Sequence, residues 1–162
     1  MGAASAALLL SRTIRRMKRS LRGYRLGLKM NRDAEFRPPF ADFMGMKVTH
    51  ISPDRVEGEI VVRAELENRF GVLHGGAVMA LADNLGGTAT MANLPEGART
   101  ATIESKTNFF AGIPIGDTAR AECTALHRGR TTMVWQTRIT RNDGKLCAIV
   151  IQTQIVIPAE KT

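Results

Sequence analysis

Residues 68–92 read NRFGVLHGGAVMALADNLGGTATMA and contain the one long run of helix-forming residues in the chain. From Gly76 to Ala92 the run is rich in Ala, Leu and Met, and its apolar residues cover a broad arc of a helical wheel. A helix with such an arc is buried on most of its sides. We therefore expect a long central helix over Gly76–Ala92, preceded by a loop that carries glycines and polar side chains.

Runs typical of strands flank this helix on both sides. Before it, Arg55–Arg63 alternates between apolar and charged residues, and Met46–Ser52 is expected to pair with it. After it come four strand-like runs: Arg99–Phe110, Asp117–His127, Thr131–Arg141 and Lys145–Ile157. The last run places Cys147 and four isoleucines on one face. This order predicts an α+β fold in which one sheet wraps around one helix.

The positive charge of the chain is confined to its N-terminus. The net charge is +8, but residues 1–32 hold nine Lys and Arg and no acid, while residues 33–162 hold fourteen bases and fifteen acids. A nearly neutral domain lacks the basic face that binding of nucleic-acid phosphates requires, so no nucleic-acid partner is expected. The composition divides the chain into a basic tail over residues 1–32 and one domain over residues 33–162.

The tail bears on where the protein resides. Leu10, Ile14, Met17 and Leu21 recur at helical spacing among basic residues, which predicts a basic amphipathic helix. The apolar stretch of the tail precedes its charges, the reverse of the order in a secretory signal. No apolar run is long enough to cross a bilayer. We expect a cytoplasmic protein, with the mitochondrial matrix as the alternative if the basic helix is a presequence.

The two cysteines, Cys123 and Cys147, predict neither a disulfide nor a metal site. Each lies in an alternating strand-like run, with no CxxC or Cys/His spacing around it. We interpret both as small apolar residues in a reducing compartment. No metal ion and no cofactor are expected.

Two features of residues 68–92 indicate catalysis. Gly75 and Gly76 stand at the start of the helix, where unpaired backbone amides and the helix dipole favour a developing negative charge, as in an oxyanion hole. Taken alone, this glycine pair would be better explained by tight packing. Asp83 lies inside the most apolar helix, where a buried carboxylate costs free energy unless it is paired or useful. We expect Asp83 to be a buried catalytic carboxylate; the alternative is a structural acid that a solvated groove or a basic partner stabilises.

The helical spacing of His74 and Asp83 has a consequence for assembly. Nine residues separate them, which corresponds to a rise of about 13 Å with the two side chains on opposite sides of the helix. They cannot serve one small reacting group within one chain. If both act in catalysis, the active site combines Asp83 of one chain with the His74 segment of another. We therefore expect a homodimer or a homotetramer built as a dimer of dimers.

The segment from Asn68 to Asp83 also resembles the motif of a known enzyme family. It matches N-x-x-G-x-x-H-G-G with an acidic residue nine positions after the histidine. This pattern is similar to that of hotdog-fold acyl-CoA thioesterases of the phenylacetic acid degradation and 4-hydroxybenzoyl-CoA types. The resemblance extends over about residues 40–157 and includes Gly129–Gln136. It implies the hotdog fold, an antiparallel sheet around one long helix, and hydrolysis of an acyl-CoA thioester to free acid and coenzyme A.

The resemblance implies a role for each residue of the motif. The backbone amide of Gly75 would polarise the thioester carbonyl, with Asn68 near the carbonyl or the attacking water. His74 would lie near the leaving sulfur. Asp83 of the partner chain would act as general base or as nucleophile. Some relatives carry Glu at this position, and the base is favoured because the shorter Asp leaves more room for a bridging water. Thr102 falls where relatives often carry a Ser or Thr that helps to hold the water.

Coenzyme A would be bound as part of the acyl-CoA substrate. Gly76 at the start of the helix is one candidate to contact it. Arg128, Gly129 and Arg130 at a turn between strands are the others, because basic side chains complement the phosphates of coenzyme A. An equally good interpretation is that Arg128 and Arg130 are solvated arginines of a turn and bind no ligand.

Two other functions remain open from the sequence. A hotdog dehydratase or hydratase would require a different, proline-containing motif, which the sequence lacks. A non-catalytic acyl-CoA-binding module would be expected to lose the acid, whereas Asp83 is present. The acyl group is not predicted, since both aryl and fatty acyl groups are compatible with the motif.

Overall fold

The computed structural model describes residues 38–159 of the chain, so the predicted tail over residues 1–32 lies outside the described residues. Helix α1 (Pro39–Phe43) precedes strands β1 (Lys47–Ile51) and β2 (Arg55–Val61). A 3-10 turn at Ala64–Leu66 leads to the long helix α2 (Gly75–Met91). Four strands follow: β3 (Arg99–Phe109), β4 (Thr118–Arg128), β5 (Thr132–Thr140) and β6 (Leu146–Ile157). No helix within residues 38–159 is both long enough and apolar enough to span a membrane.

The strands form one six-stranded sheet in the order β1-β2-β4-β5-β6-β3. Every neighbouring pair is antiparallel. Gly144, with φ 79°, lies in the turn of the β5–β6 hairpin, where a residue with a side chain would be strained. Strand β3 lies at one edge of the sheet and β1 at the other. The sheet wrapped around one long helix confirms the α+β architecture that the sequence predicts.

Helix α2 packs against one face of this sheet. The apolar arc that the sequence predicts, which includes Leu81 and Leu85, is buried. Burial of each such side chain contributes roughly 1.5–3 kcal/mol. The same core contains inward-facing residues of the strands: Val56, Ile60, Ala121, Trp135, Ile139 and Val150. Trp135 Nε1 donates to Thr90 Oγ1 at 2.8 Å, so the one polar atom of the indole is satisfied inside the core.

Strand β6 buries the face opposite to its isoleucines. Val150, Gln152 and Gln154 are fully buried, and Gln152 packs against Gly86 of α2, where an added Cβ would lie 2.3 Å from Gln152 Cδ. Ile149 and Ile151 are only half-buried on the outer face. An apolar outer face of this kind is typical of a sheet that is covered on both sides in an assembly.

Candidate active site

The loop before α2 is held by its own hydrogen bonds. Asn68 Oδ1 accepts from Phe70 N at 2.8 Å, and Asn68 N donates to Val72 O at 2.8 Å. Gly71 has φ 73°, which allows the tight turn between them. The turn fixes the Asn68 side chain on the wall of a cavity that Gly75 also lines. Two of the residues singled out in the sequence, Asn68 and Gly75, are thus brought together within one chain.

His74 caps the N-terminus of α2. Its Nδ1 accepts a hydrogen bond from Gly76 N at 2.9 Å, and its own backbone N donates to Leu66 O at 2.8 Å. A neutral imidazole that accepts at Nδ1 carries its hydrogen on Nε2. The exposed His74 side chain therefore presents an Nε2–H donor. The Gly76 amide is already used by this cap.

The backbone amide of Gly75 has no acceptor among the described residues. Gly75 is the first residue of α2, so its N–H has no acceptor inside the helix. None of the hydrogen bonds formed among residues 38–159 is donated by this amide. An added Cβ at Gly75 would lie 3.2 Å from Phe109 Cζ, so an aromatic ring closely covers one side of the glycine. An unpaired donor at the positive end of a helix dipole is the essential part of an oxyanion hole.

A cavity of about 230 Å³ opens beside Gly75 and Asn68. Its remaining wall is mostly apolar and includes Val72, Leu73, Val78, Phe109, Ile113 and Ala148. Dry apolar cavities of about 150 Å³ in proteins bind benzene. The cavity beside Gly75 therefore has room for an aromatic ring or an acyl chain of medium length.

Asp83 lies on the exposed stripe of α2, which it shares with Gly76 and Met79. The expectation of a buried carboxylate is wrong, because Asp83 falls on the one face of the helix that the chain's own sheet leaves uncovered. The apolar neighbours that suggested burial, such as Leu81, face the core instead. Thr102 Oγ1 of β3 donates to Asp83 Oδ1 at 2.7 Å. The carboxylate is thus exposed but held by a side chain of the adjacent strand.

The structure keeps Asp83 and the Gly75 amide apart within one chain. Eight residues of continuous helix separate them, a rise of about 12 Å. Asp83 does not line the cavity beside Gly75. One chain therefore supplies two separate pairs, Asn68 with Gly75 and Asp83 with Thr102.

A residue that the sequence analysis does not single out joins the second pair. Gln154 of β6 is 1% exposed, and its Nε2 donates to Thr102 Oγ1 at 2.7 Å. The β3–β6 register shifts between Thr102 and Glu104, and a bulge of this kind re-aims side chains. The one available signal in the sequence was the presence of two glutamines, Gln152 and Gln154, at alternate positions of a mostly apolar run.

The turn between β4 and β5 lies at the far end of α2. Arg128 Nη1 forms an ion pair with Asp54 Oδ1 at 2.8 Å and lies 3.4 Å from Asn93 Oδ1, just beyond the helix C-terminus. Along the helix this position is about 27 Å from Gly75. The turn therefore does not join the Gly75 end of the site in the same chain.

Of the other two residues of this turn, Gly129 is needed for close packing, whereas Arg130 is exposed. An added Cβ at Gly129 would lie 2.9 Å from the backbone oxygen of Thr132, so this glycine is needed for close packing of the turn. Arg130 is exposed, and no ion pair within residues 38–159 involves it. Arg130 is the more available cation of the turn, since Arg128 is already paired.

Both cysteine thiols are held in their neutral form. Burial raises the pKa of Cys123 to about 11 and also raises the pKa of Cys147. Cys147 lines the cavity beside Gly75 as a small uncharged side chain. In the described part of the chain, no group of three or more His, Cys, Asp or Glu side chains is placed to hold a metal ion.

Comparison with known proteins identifies the family. The sequence model of the thioesterase superfamily matches residues 70–148, which contain most of the motif around His74. A putative esterase of Haemophilus influenzae is 33% identical over 115 residues, which are 70% of this chain and 82% of that protein. The chain belongs to the thioesterase superfamily.

Two further comparisons agree with this thioesterase assignment. The 1,4-dihydroxy-2-naphthoyl-CoA hydrolase of Escherichia coli is 30% identical over 105 residues, covering 65% of this chain and 76% of that protein. The crystal structure of a Haemophilus influenzae thioesterase superimposes with a TM-score of 0.71 at 29% identity, covering 75% of this chain and 85% of that one. The predicted hotdog fold and the prediction of a thioester-hydrolysing enzyme are confirmed.

Proposed function

We propose that this thioesterase hydrolyses acyl-CoA thioesters in a site shared between two copies of the chain. The observation that carries the proposal is the division of the catalytic groups into two pairs along α2. The free Gly75 amide and Asn68 lie at its N-terminus, and Asp83 with Thr102 lies about 12 Å further along. Neither pair alone can both polarise a carbonyl and activate a water. The relative that acts on a naphthoyl-CoA supports coenzyme A as the leaving group.

A two-fold axis near Met79 would join the two pairs. Met79 lies midway between Gly75 and Asp83 on the helix, and it is 40% exposed. If two α2 helices pack antiparallel across this point, Gly75 of each chain faces Asp83 of the other, and two equivalent sites form. The exposed stripe favours such packing, because the side chains beside Met79 are small.

Edge strand β3 supports the same arrangement. It is 11 residues long and lies at the edge of the sheet, so one row of its backbone groups is unpaired among the described residues. Two of its apolar side chains, Ile103 and Phe109, are 57% and 54% exposed. Because Asp83 contacts Thr102 of this strand, the exposed stripe of α2 and the edge of β3 are neighbours. A second copy that pairs with β3 would therefore also cover the stripe.

In the shared site, water adds to the thioester carbonyl carbon. The Gly75 N–H of one chain stabilises the negative charge that forms on the carbonyl oxygen. Asp83 of the other chain accepts the proton of the water through Oδ2, because Oδ1 is engaged by Thr102. As the carbon–sulfur bond breaks, the Nε2–H of His74 donates a hydrogen bond to the departing thiolate, which then takes a proton from solvent. The products are the free acid and coenzyme A, and the proton on Asp83 is returned through solvent.

The ends of the substrate fall on different parts of the dimer. The apolar cavity beside Gly75 would take the acyl group, with room for an aryl or medium-length chain. The β4–β5 turn of the chain that supplies Asp83 lies about 15 Å beyond this carboxylate along the helix. Arg130 of that turn would bind a phosphate of coenzyme A, since it is exposed and unpaired among the described residues.

The activity is tested by a steady-state screen of the purified full chain against acyl-CoAs. The panel contains acetyl-, hexanoyl-, palmitoyl-, benzoyl- and phenylacetyl-CoA, and release of coenzyme A is followed with a thiol reagent. Buried Cys123 and Cys147 add little background to this assay. We expect the aryl and medium-chain substrates to be turned over faster than palmitoyl-CoA, since the cavity is too small for a long chain. No turnover of any member would contradict the proposed function.

The shared site is tested by mixing inactive variants. Asp83→Ala and Asn68→Ala each inactivate the homodimer, but a mixed dimer contains one site with both residues intact. Activity should therefore return on subunit exchange. The matched control mixes Asp83→Ala with the double variant Asp83→Ala/Asn68→Ala, because no intact site can form in that mixture. Absence of recovery in the first mixture, once exchange is demonstrated with differently tagged chains, would show that each chain carries its own site.

A further inference from the structure

A row of hydrogen-bonded side chains connects the buried side of β6 to the exposed carboxylate of Asp83. Thr100 Oγ1 lies 2.9 Å from both Gln154 Oε1 and Ile155 O, so two acceptors share its one hydrogen, and Gln154 Nε2 donates to Thr102 Oγ1 at 2.7 Å. Thr102 Oγ1 in turn donates to Asp83 Oδ1 at 2.7 Å. Gln154 is 1% exposed, so its amide cannot exchange these partners for bulk water.

The direction of the row follows from the number of hydrogens at Thr102. A hydroxyl has one hydrogen to donate and lone pairs with which to accept. Because Gln154 Nε2 donates to Thr102 Oγ1, the hydroxyl hydrogen is free for the carboxylate of Asp83. The opposite orientation of the amide would place Gln154 Oε1 against the hydroxyl, which could not donate to both oxygens. Gln154 therefore decides where the Thr102 hydrogen points.

We propose that Gln154 is a positioning residue for the catalytic base. It holds the Thr102 hydrogen on Asp83 Oδ1 and so leaves Oδ2 as the oxygen that accepts the proton of the attacking water. Gln154 does not touch the substrate and acts only through Thr102. This role rests on the proposed function, in which Asp83 is the base.

The row has a predictable effect on turnover. A hydrogen bond donated to one carboxylate oxygen fixes which oxygen is left for the attacking water. Without Gln154 the Thr102 hydroxyl can rotate away, and Asp83 loses the contact that fixes its orientation. The water is then held less well for attack, so kcat falls while binding of the substrate is unaffected.

Gln154→Met tests this role, because methionine has a similar length but cannot donate a hydrogen bond. We expect kcat to fall about five-fold, as for loss of one ordinary hydrogen bond. KM should change little, since the substrate is not contacted. Thr102→Val should lower kcat in the same way. Adding Gln154→Met to Thr102→Val should lower kcat no further.

Gln152 provides a matched control. It lies two residues earlier on the same buried face of β6, is 0% exposed, and its Nε2 lies 3.5 Å from the backbone oxygen of Asp83. Gln152→Met removes a buried amide in the same way without breaking the contact to Thr102. It should lower the melting temperature but leave kcat unchanged. An equal fall of kcat in Gln152→Met would overturn the proposal, since general loosening of β6 would then explain both results.

A second variant and a second measurement keep the test decisive. If Gln154→Met does not fold, Gln154→Asn serves instead, because its side chain is one methylene shorter and cannot reach Thr102. A folded Gln154 variant with the wild-type kcat, or an effect that adds in full to that of Thr102→Val, overturns the role of Gln154. The carbon-13 chemical shift of the Asp83 carboxyl at one fixed pH reports on its hydrogen bond from Thr102 without turnover. A changed chemical shift in the Gln154 variant supports the row even if no acyl-CoA is hydrolysed. Wild-type turnover of acyl-CoA with an unchanged chemical shift in the variant rejects the row and leaves the proposed function standing.

Discussion

Replacing Gly75 with proline removes the backbone N–H that we propose as the oxyanion donor and puts the ring Cδ in the place of its hydrogen. Gly75 is the first residue of α2, a position that proline favours because no helical hydrogen bond is lost there. The preceding His74 has φ −61° and ψ 136°, a conformation that suits a residue before proline. The fold should therefore accept Gly75→Pro.

The expected magnitudes separate activity from stability. Removal of one oxyanion-hole donor costs about 100- to 1000-fold in kcat, or roughly 2.7–4 kcal/mol of transition-state stabilisation. Proline at a compatible position stabilises a protein by about 0.4–1 kcal/mol through the unfolded chain. Part of that gain is offset because an added Cβ would lie 3.2 Å from Phe109 Cζ, and the ring must move by a few tenths of an ångström. The melting temperature should thus stay close to that of the wild type.

Gly75→Ala is the matched control, because alanine adds the same Cβ against Phe109 but keeps the N–H. Both variants are assayed for thiol release on the best acyl-CoA of the panel and for thermal unfolding. The ratio of their kcat values separates the loss of the N–H, with the ring that replaces its hydrogen, from the effect of the added Cβ. Equal kcat values for two equally stable variants would refute the assignment of the Gly75 amide as the oxyanion donor.

Other parts of the chain give three further predictions. Deletion of residues 1–32 should leave folding and turnover largely intact, because the basic charge of this segment has no counterpart in the nearly neutral remainder of the chain; a large loss of soluble protein would contradict this. Burial raises the pKa of Cys123 from 9.0 to about 11, so stability that is fully present below pH 9 is lost as the pH rises through 11. Cys123→Ala should therefore show a smaller drop in melting temperature between pH 9 and 11 than the wild type. Arg130→Ala should raise KM for acyl-CoA with little change in kcat, and the effect should shrink at high salt; an unchanged KM would remove Arg130 from the coenzyme A site.

The helices and strands could be predicted because their apolar periodicity is local in the sequence. The expected helix Gly76–Ala92 is observed as Gly75–Met91, and the expected strand Arg99–Phe110 as Arg99–Phe109. The buried face of β6 was not evident from the sequence. Its isoleucines are more apolar than the glutamines opposite, yet the glutamines face α2. Periodicity alone cannot assign the inner face of a strand when the outer face is apolar too.

The candidate site could be predicted in its composition but not in its arrangement. The motif indicated Asn68, His74, Gly75 and Asp83 directly. Burial of Asp83 was inferred from its apolar neighbours in sequence, whereas the helical period leaves it on a narrow exposed stripe. Gln154 was not found because it lies far from Asp83 in the sequence, and only the β3–β6 pairing brings it to Thr102.

The kcat of Asp83→Asn on the best acyl-CoA tests the central claim most directly. Asparagine keeps the size of the side chain, and its Oδ1 can still accept from Thr102, so the hydrogen-bonded row to Gln154 survives while the base is lost. The melting temperature should stay near that of the wild type, because position 83 is exposed on α2. A carboxylate that acts as general base predicts a loss of kcat of at least about 100-fold. An Asp83→Asn protein that hydrolyses the acyl-CoA at the wild-type rate would contradict the account.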